Sequence, residues 1–380
     1  MPELLLASGK VVARDGVLDP GWLTISGGII TAIGGGTPPQ RPAAVRVDVP
    51  GCHIVPGFID IHCHGGGGGD YSDPDPERVR TAAMTHRRGG TTTALASLVS
   101  RPIPELVDQV AALTELVDDG VFAGIHLEGP FISHARRGAH DPDVLRPPEA
   151  EVIAKLLAAG RGTVKMITIA PELDGGLDAI RQLTDAGVLV AIGHTDATEE
   201  QILPAIDAGA RVATHLFNAM RPLHHREPGA VGALLADERI TIELICDLVH
   251  VAPTALRIAA RYAGIDRTAL VTDAMAATGM SGGTYRIGKL VATVIDGAPR
   301  LPDGTIAAST LTMGGAFGNF VHHTGGSLTE AAAAAATRPA RLLGLAEGTG
   351  ALAEGLTADL VVLDTDLRVA RVLRRGEWIT

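Results

Sequence analysis

The sequence predicts an α/β chain, a (β/α)8 TIM-like barrel accompanied by a small β-sandwich domain formed by the N- and C-terminal segments. Three observations lead there. From residue 54 to residue 347, short apolar runs rich in β-branched residues alternate with stretches of helical periodicity. Eight such runs occur, each followed by a crossover, and that number closes a barrel; an open doubly wound sheet is the alternative. Residues 1–53 and 348–380 differ in style and show short strands separated by turns.

At the start, LLLASGKVVA and GWLTISGGIITAIGGG supply the opening β segments, and ADLVVLD and RVARVLRRGEWI supply closing segments that would pair with them. Barrel strands are expected at 57–63, 91–98, 121–127, 164–170, 188–192, 211–216, 240–246 and 269–272. In the gaps, PERVRTAAMTHRRGG, PELVDQVAALTELVDDG, PEAEVIAKLLAAG, LDAIRQLTDAG, TEEQILPAIDAG and APTALRIAARYAG carry apolar faces at helical spacing. Most open near Pro, Thr or Asp and finish at Gly, because proline suits a first helical turn and glycine a left-handed stop. The sixth gap offers only the short PGAVGALLADE, and the eighth crossover is supplied by EAAAAAATRPARLLG. Residues 285–306 read as a hairpin insertion before that last helix.

Composition narrows the function classes. Aromatics make up 3% and glycines number 47, which suits an Ala/Val/Ile/Leu core with many short loops and a parallel sheet. A net charge of −11 argues against nucleic-acid or anionic-membrane partners, and any anionic substrate then needs a local cluster of cations. The three cysteines, Cys52, Cys63 and Cys246, give no disulfide framework and fit a reducing compartment. MPELLLASGK lacks the pattern of a signal peptide, and no stretch approaches the roughly 18 apolar residues of a spanning helix, so a cytoplasmic protein is expected.

A barrel places its chemistry at the carboxyl ends of its strands. Strand one ends in Asp60-Ile61-His62-Cys63-His64, where His62 and His64 share a face while Cys63 points away. Strand three ends in His126-Leu127-Glu128, strand five in Gly193-His194, strand six in Thr214-His215 and strand eight in Thr272-Asp273. Four imidazoles and two carboxylates around one mouth form a site for divalent metal, which acidifies bound water. The set fits two ions if one carboxylate bridges them, or a single ion with the second half-site empty. Histidine and carboxylate ligands suit zinc, iron, manganese or cobalt, with zinc the first expectation.

Other reactive residues read as structural. Cys63 belongs to the core, Cys52 and Cys246 are buried thiols, and His126 lies one layer below Glu128 as a packed residue. His86, His322 and His323 fall on helical segments. The glycine run 65–69 lacks the Lys-Ser/Thr of a phosphate-binding P-loop and reads as a flexible loop beside the metal.

PGFIDIHCHG, HLEGPF, GHT, HLFNAM, CDLVHV and VTDAM, in this order, resemble the N-acetylglucosamine-6-phosphate deacetylases of the amidohydrolase superfamily over nearly the whole chain. The resemblance implies a principal metal site of Glu128, His194 and His215, and a second of His62, His64 and Asp273 with Glu128 bridging. It implies Asp273 as the catalytic acid/base and His140, beside Ala139, as the group that polarises the acetamide carbonyl. It further implies phosphate contacts from Asn218, Ala219 and Arg226, and a sugar-lining role for Asp247, His250, Leu311, Thr312 and Met313. The implied partner is a sugar phosphate, and the implied assembly is a homodimer in which Arg226 or its neighbours reach the other subunit's site. Two rival readings follow from the residues. A cyclic-amide hydrolase or base deaminase is one, although the nearest candidate for a bridging lysine, Lys165, falls near the start of strand four rather than its end. A binding barrel without catalysis is the other, disfavoured by an intact set of ligands with its acid/base.

Overall fold

The computed structural model describes residues 3–380. The chain divides into two compact units, one comprising the residues up to Asp60 with His86–Thr93 and Thr312–Thr380, the other comprising Ile61–Thr85 and Ala94–Leu311.

The barrel strands are Phe58–Asp60, Thr91–Val99, Gly124–Glu128, Val164–Ile169, Leu189–Ile192, Val212–Ala213, Thr241–Ile245 and Thr268–Val271, hydrogen-bonded in chain order as one eight-stranded sheet. The neighbours from the second strand to the eighth run parallel. Every strand falls within or beside the segment its apolar run predicts, and those runs are continuous because both faces of a barrel sheet are covered. The ring closes beyond the regular strands: the Asp273 amide donates to the His62 carbonyl at 2.8 Å, and the His64 amide to the Ala274 carbonyl at 2.8 Å.

Crossover helices occupy Pro76–Arg88, Ile103–Asp118, Ala150–Gly160, Gly176–Asp185, Glu199–Asp207, Gly229–Ala236 and Pro253–Ala263. Thr198 opens the fifth with a capping box to Gln201, so the terminal amides find partners. The eighth crossover is longer than expected. A helix at Met313–Thr324 precedes the Ala-rich one, which runs through Leu328–Ala332, a wide turn at Ala333–Thr337, and Arg338–Leu342. Its glycines count against a helix by propensity, but they are needed for packing: a Cβ on Gly314 would lie 2.4 Å from Val369 Cγ2.

Two further expectations change. The insertion is a three-stranded antiparallel sheet, Thr284–Ile287, Leu290–Ile295 and Ala298–Arg300, rather than a single hairpin. The glycine run is not a loose loop. Gly65–Gly66 and Gly69–Asp70 pair as a short hairpin, with Gly67 and Gly68 at φ 57° and 83° in its turn. The amides of Gly67 and Gly68 donate to the carbonyls of Thr278 and Ala276, each at 2.8 Å.

The terminal segments build the small β domain. Strand His53–Pro56 pairs antiparallel with Leu360–Leu363, joining early and late segments in one eight-stranded sheet. Leu6, Val11, Leu23, Ile54, Leu360 and Leu373 are buried in its core. Among the described residues, no helix is long and apolar enough to cross a membrane.

Candidate metal and active site

The backbone aims the reactive side chains before any side-chain interaction acts. His194, His215 and Asp273 each leave their strand in the left-handed region, at φ 48°, 29° and 47°, followed by Phe217 at 81° and Ala219 at 50°. Non-glycine residues occupy that region at a cost of order 1–3 kcal/mol each, and such strain gathers where function over-determines the backbone. Main-chain bonds hold these turns: Leu216 N–H to the Glu243 carbonyl at 2.9 Å, Thr195 N–H to the Ala219 carbonyl at 3.1 Å, and Ser309 N–H to the Asp273 carbonyl at 2.7 Å.

Six side chains then converge. Glu128 Oε1 lies 3.1 Å from His194 Nε2, 3.0 Å from His215 Nε2 and 3.4 Å from His62 Nε2. Its other oxygen, Oε2, lies 3.1 Å from His64 Nε2. Asp273 Oδ1 faces the strand-one pair, 3.3 Å from His64 Nε2 and 3.6 Å from His62 Nε2. The imidazole nitrogens also approach one another, 3.1 Å between His194 and His215 and 3.2 Å between His62 and His64. Nitrogens bound about 2.0–2.1 Å from one tetrahedral ion sit roughly 3.3 Å apart, so these spacings match a shared cation. All six residues are buried. The donor set and its spacing therefore fit divalent metal.

Charge distribution agrees. Burial opposes protonation of His62 and His64, but the Glu128 and Asp273 carboxylates outweigh it, lifting His62 well above the ordinary imidazole range and His64 to about 10. Burial likewise opposes ionisation of Glu128 and Asp273, and the surrounding imidazoles overcome it and hold both carboxyls below their usual range. The pocket draws positive charge to its ligand atoms.

A surrounding layer orients this set. His62 Nδ1 contacts Glu243 Oε2 at 3.1 Å, and the same oxygen accepts the His215 amide at 3.0 Å. His194 Nδ1–H donates to the Arg136 carbonyl at 2.9 Å, which leaves Nε2 facing Glu128. His140 Nδ1 accepts from the Ser100 amide at 3.3 Å and meets Ser100 Oγ at 2.8 Å, so its proton belongs on Nε2, 3.5 Å from Glu128 Oε2. Burial depresses His140 to about 4, leaving a neutral N–H donor at the rim of the metal cluster. His126, as expected, is packed: its nitrogens meet Ser97 Oγ at 2.9 Å and Thr168 Oγ1 at 2.8 Å. Cys63 faces away, buried beside the Tyr71 hydroxyl at 3.6 Å.

A cavity of about 310 Å³ opens over the cluster, and His64, Glu128, Ala139, His140, His194, His215, Asn218, Ala219, His250 and Asp273 line it. His62 lies beneath, fully buried. Asp247 is not on the wall but holds His250, with Oδ2 2.6 Å from Nδ1. Arg226 stands apart, exposed, its Nη1 2.7 Å from His225 Nε2. Leu311, Thr312 and Met313 also fall outside this lining; Thr312 caps the helix that Met313 begins. Lys165 is exposed in the first half of strand four, away from the strand ends.

Several contributors have weak sequence signals. Glu243 is a lone acid inside the apolar run ITIELIC, and a buried carboxylate in a strand is a cue for a partner. Ser100 follows its strand in a loop and Arg136 ends the short 3-10 turn His134–Arg136, neither with a motif of its own. Ile287 and the segment 305–307 of the insertion complete the wall, where a hairpin reading gives no reason to place them.

A (β/α)8 barrel whose strand ends gather histidines and carboxylates defines a hydrolase of the metal-dependent barrel class. The chain belongs to the amidohydrolase family, whose model matches residues 53–379. It is 35% identical over 378 residues to the N-acetylgalactosamine-6-phosphate deacetylase of Escherichia coli O157:H7, covering 98% of each chain. To the N-acetylglucosamine-6-phosphate deacetylase of Bacillus subtilis strain 168 it is 34% identical over 382 residues, covering 98% of this chain and 96% of the relative. A Mycobacterium smegmatis N-acetyl-D-glucosamine-6-phosphate deacetylase mutant, solved in complex with N-acetyl-D-glucosamine-6-phosphate, superimposes with a TM-score of 0.97 at 47% identity over 100% of both chains.

Proposed function

We propose that this enzyme hydrolyses the acetamide of N-acetylglucosamine 6-phosphate, giving acetate and glucosamine 6-phosphate, with one or two divalent ions per subunit. One observation carries the reading: Glu128 stands between the imidazoles of His194 and His215 and those of His62 and His64, within 3.4 Å of all four, with Asp273 facing the second pair. Glu128, His194 and His215 would hold the principal ion, and His62, His64 and Asp273, beside Glu128, would hold a second. Zinc is the first choice, ahead of iron, manganese and cobalt. A bound divalent ion supplies Lewis acidity toward the carbonyl and lowers the pKa of a coordinated water.

The chain's own groups perform the rest. His140 directs its Nε2–H into the cavity and donates to the acetamide oxygen as negative charge develops there. Asp273, held ionised, takes the proton of the attacking water and returns it to the departing nitrogen, so that the amine leaves neutral. Glu243 and Ser100 act through the histidines they hold. Ala139, Asn218, Ala219 and His250, on the cavity wall, serve the sugar and its phosphate, Asp247 acts through His250, and Arg226 serves the phosphate of the partner subunit in a homodimer. Residues 54–347 form the catalytic barrel and the terminal segments its β companion. Three cysteines that form no disulfide suit a cytoplasmic setting.

The test is acetate release by metal-defined protein supplied with N-acetylglucosamine 6-phosphate, its galactosamine epimer, and each sugar without phosphate. Efficient release from the glucosamine phosphate is expected. Failure to release acetate from it with any of the four metals overturns the proposal, and faster release from the epimer reassigns the substrate.

A further inference from the structure

We infer that Arg136 is the cation with which this chain's own cavity recognises the substrate's phosphate, an inference that rests on the deacetylase reading above. Among the described residues lining the cavity, Arg136 is the single lysine or arginine. A dianionic group entering a chain of net charge −11 is favoured by a positive group on the wall it passes. Arg226, assigned above to the partner subunit's phosphate, is off the wall of this chain's own cavity and leaves that wall to Arg136.

Arg136 is also prepared for the task. Its Nε and Nη2 both reach Asp196 Oδ1 at 2.8 Å, and Asp196 is steadied by Arg221 at 3.3 Å and by its own amide bond to Glu172 at 2.7 Å. A guanidinium carries five N–H donors in a rigid fork, so one edge can be anchored while others serve a phosphate oxygen. The turn around Arg136 is tied to the reacting end of the cavity, since its carbonyl accepts from His194 Nδ1 at 2.9 Å. Two residues on, a Cβ placed on Gly138 would lie 3.2 Å from the His194 ring and 3.9 Å from the Ala219 side chain. The arginine therefore shares a wall with Ala219, where the left-handed backbone at φ 50° shapes the loop of Asn218 and Ala219. A sugar with its acetamide over the metal ligands would place its far end along that wall.

The competing role is a structural strut, in which the Arg136–Asp196 pair merely holds the turn and, through it, His194. Kinetics separate the two. For wild type, Arg136→Gln and Arg136→Lys, kcat/KM is measured for N-acetylglucosamine with and without its 6-phosphate, alongside competitive inhibition by inorganic phosphate. Phosphate recognition predicts that Arg136→Gln lowers the preference for the phosphorylated sugar at least tenfold, mainly through KM, and weakens phosphate inhibition. Arg136→Lys should recover part of both. Equal loss on both sugars with phosphate inhibition intact, or a preference that survives in Arg136→Gln, overturns the inference while leaving the deacetylase reading in place. A wild-type protein that releases no acetate from either sugar overturns that reading and this inference together.

Discussion

Asp273 shows how much a single residue is asked to do at this site. Its amide closes the barrel against His62, its backbone sits at φ 47°, and its Oδ1 lies 3.3 Å from His64 Nε2. Burial alone would push its carboxyl up, but His62 and His64 bring it below the usual range, so it is ionised, as the proposed base must be. Removing the charge while keeping the shape, by Asp273→Asn, is expected to cut kcat by about 10²–10⁴-fold, the usual share of a positioned acid/base, with little change in substrate dissociation constant. Turnover near wild type, in protein whose metal content is unchanged, would contradict the assignment. The convergence of the six side chains was legible residue by residue because each member follows an apolar run, and a barrel can only bring such positions to one mouth. Glu243 and Ser100 were not legible in the same way. They act by fixing a histidine's free nitrogen, and nothing in linear order connects Glu243 to His62 or Ser100 to His140.

Elements were easiest to read where periodicity and termination agree, as in Glu199–Asp207 with its capping box, and hardest where glycine serves packing. Met313–Thr324 is such a case, since propensity argues against the residues that its neighbours require. The hairpin Gly65–Gly66 with Gly69–Asp70 is another: composition alone reads as slack, whereas the geometry leaves no room for slack. A Cβ on Gly65 would fall 2.3 Å from the Gly69 carbonyl oxygen, and one on Gly69 would fall 2.7 Å from the Arg78 carbonyl oxygen. Backbone cannot yield to a methyl group as a flexible side chain does. The Tyr71 amide bonds the His64 carbonyl at 2.8 Å, so moving this hairpin moves a residue of the candidate metal site. Gly65→Ala is expected to cost about 1–3 kcal/mol, in the range of overpacked interiors, and to lower bound metal as well. Gly282→Ala is the control, because nothing lies within 4 Å of its added Cβ. Equal melting temperatures and metal contents for the two variants would show that the hairpin tolerates displacement.

At the scale of the whole molecule, the site couples folding to metal and to pH, and the sign of that coupling is fixed by which ion occupies the ligand atoms. Without metal, the negative field of Glu128 and Asp273 draws protons: His64 titrates at about 10 in the fold against about 6.5 in the unfolded chain, and His62 shifts the same way. A group whose pKa rises on folding lends stability that is complete below its unfolded value and disappears as pH climbs through the folded one. Metal-free protein should therefore lose stability between about pH 6.5 and pH 10. Bound metal replaces those protons and removes that dependence, while its own affinity grows as the imidazoles are freed. Ligand that binds only the native state adds about 2.7 kcal/mol at a hundred times its dissociation constant, or several degrees in melting temperature for a chain of this size. The gap in melting temperature between metal-loaded and chelated protein is thus expected to widen steadily from pH 6.5 to pH 9, as followed by thermal unfolding in matched buffers. A gap that narrows over that range would mean that protons do not compete for these nitrogens, and that the cluster is held together by something other than the cation its geometry fits.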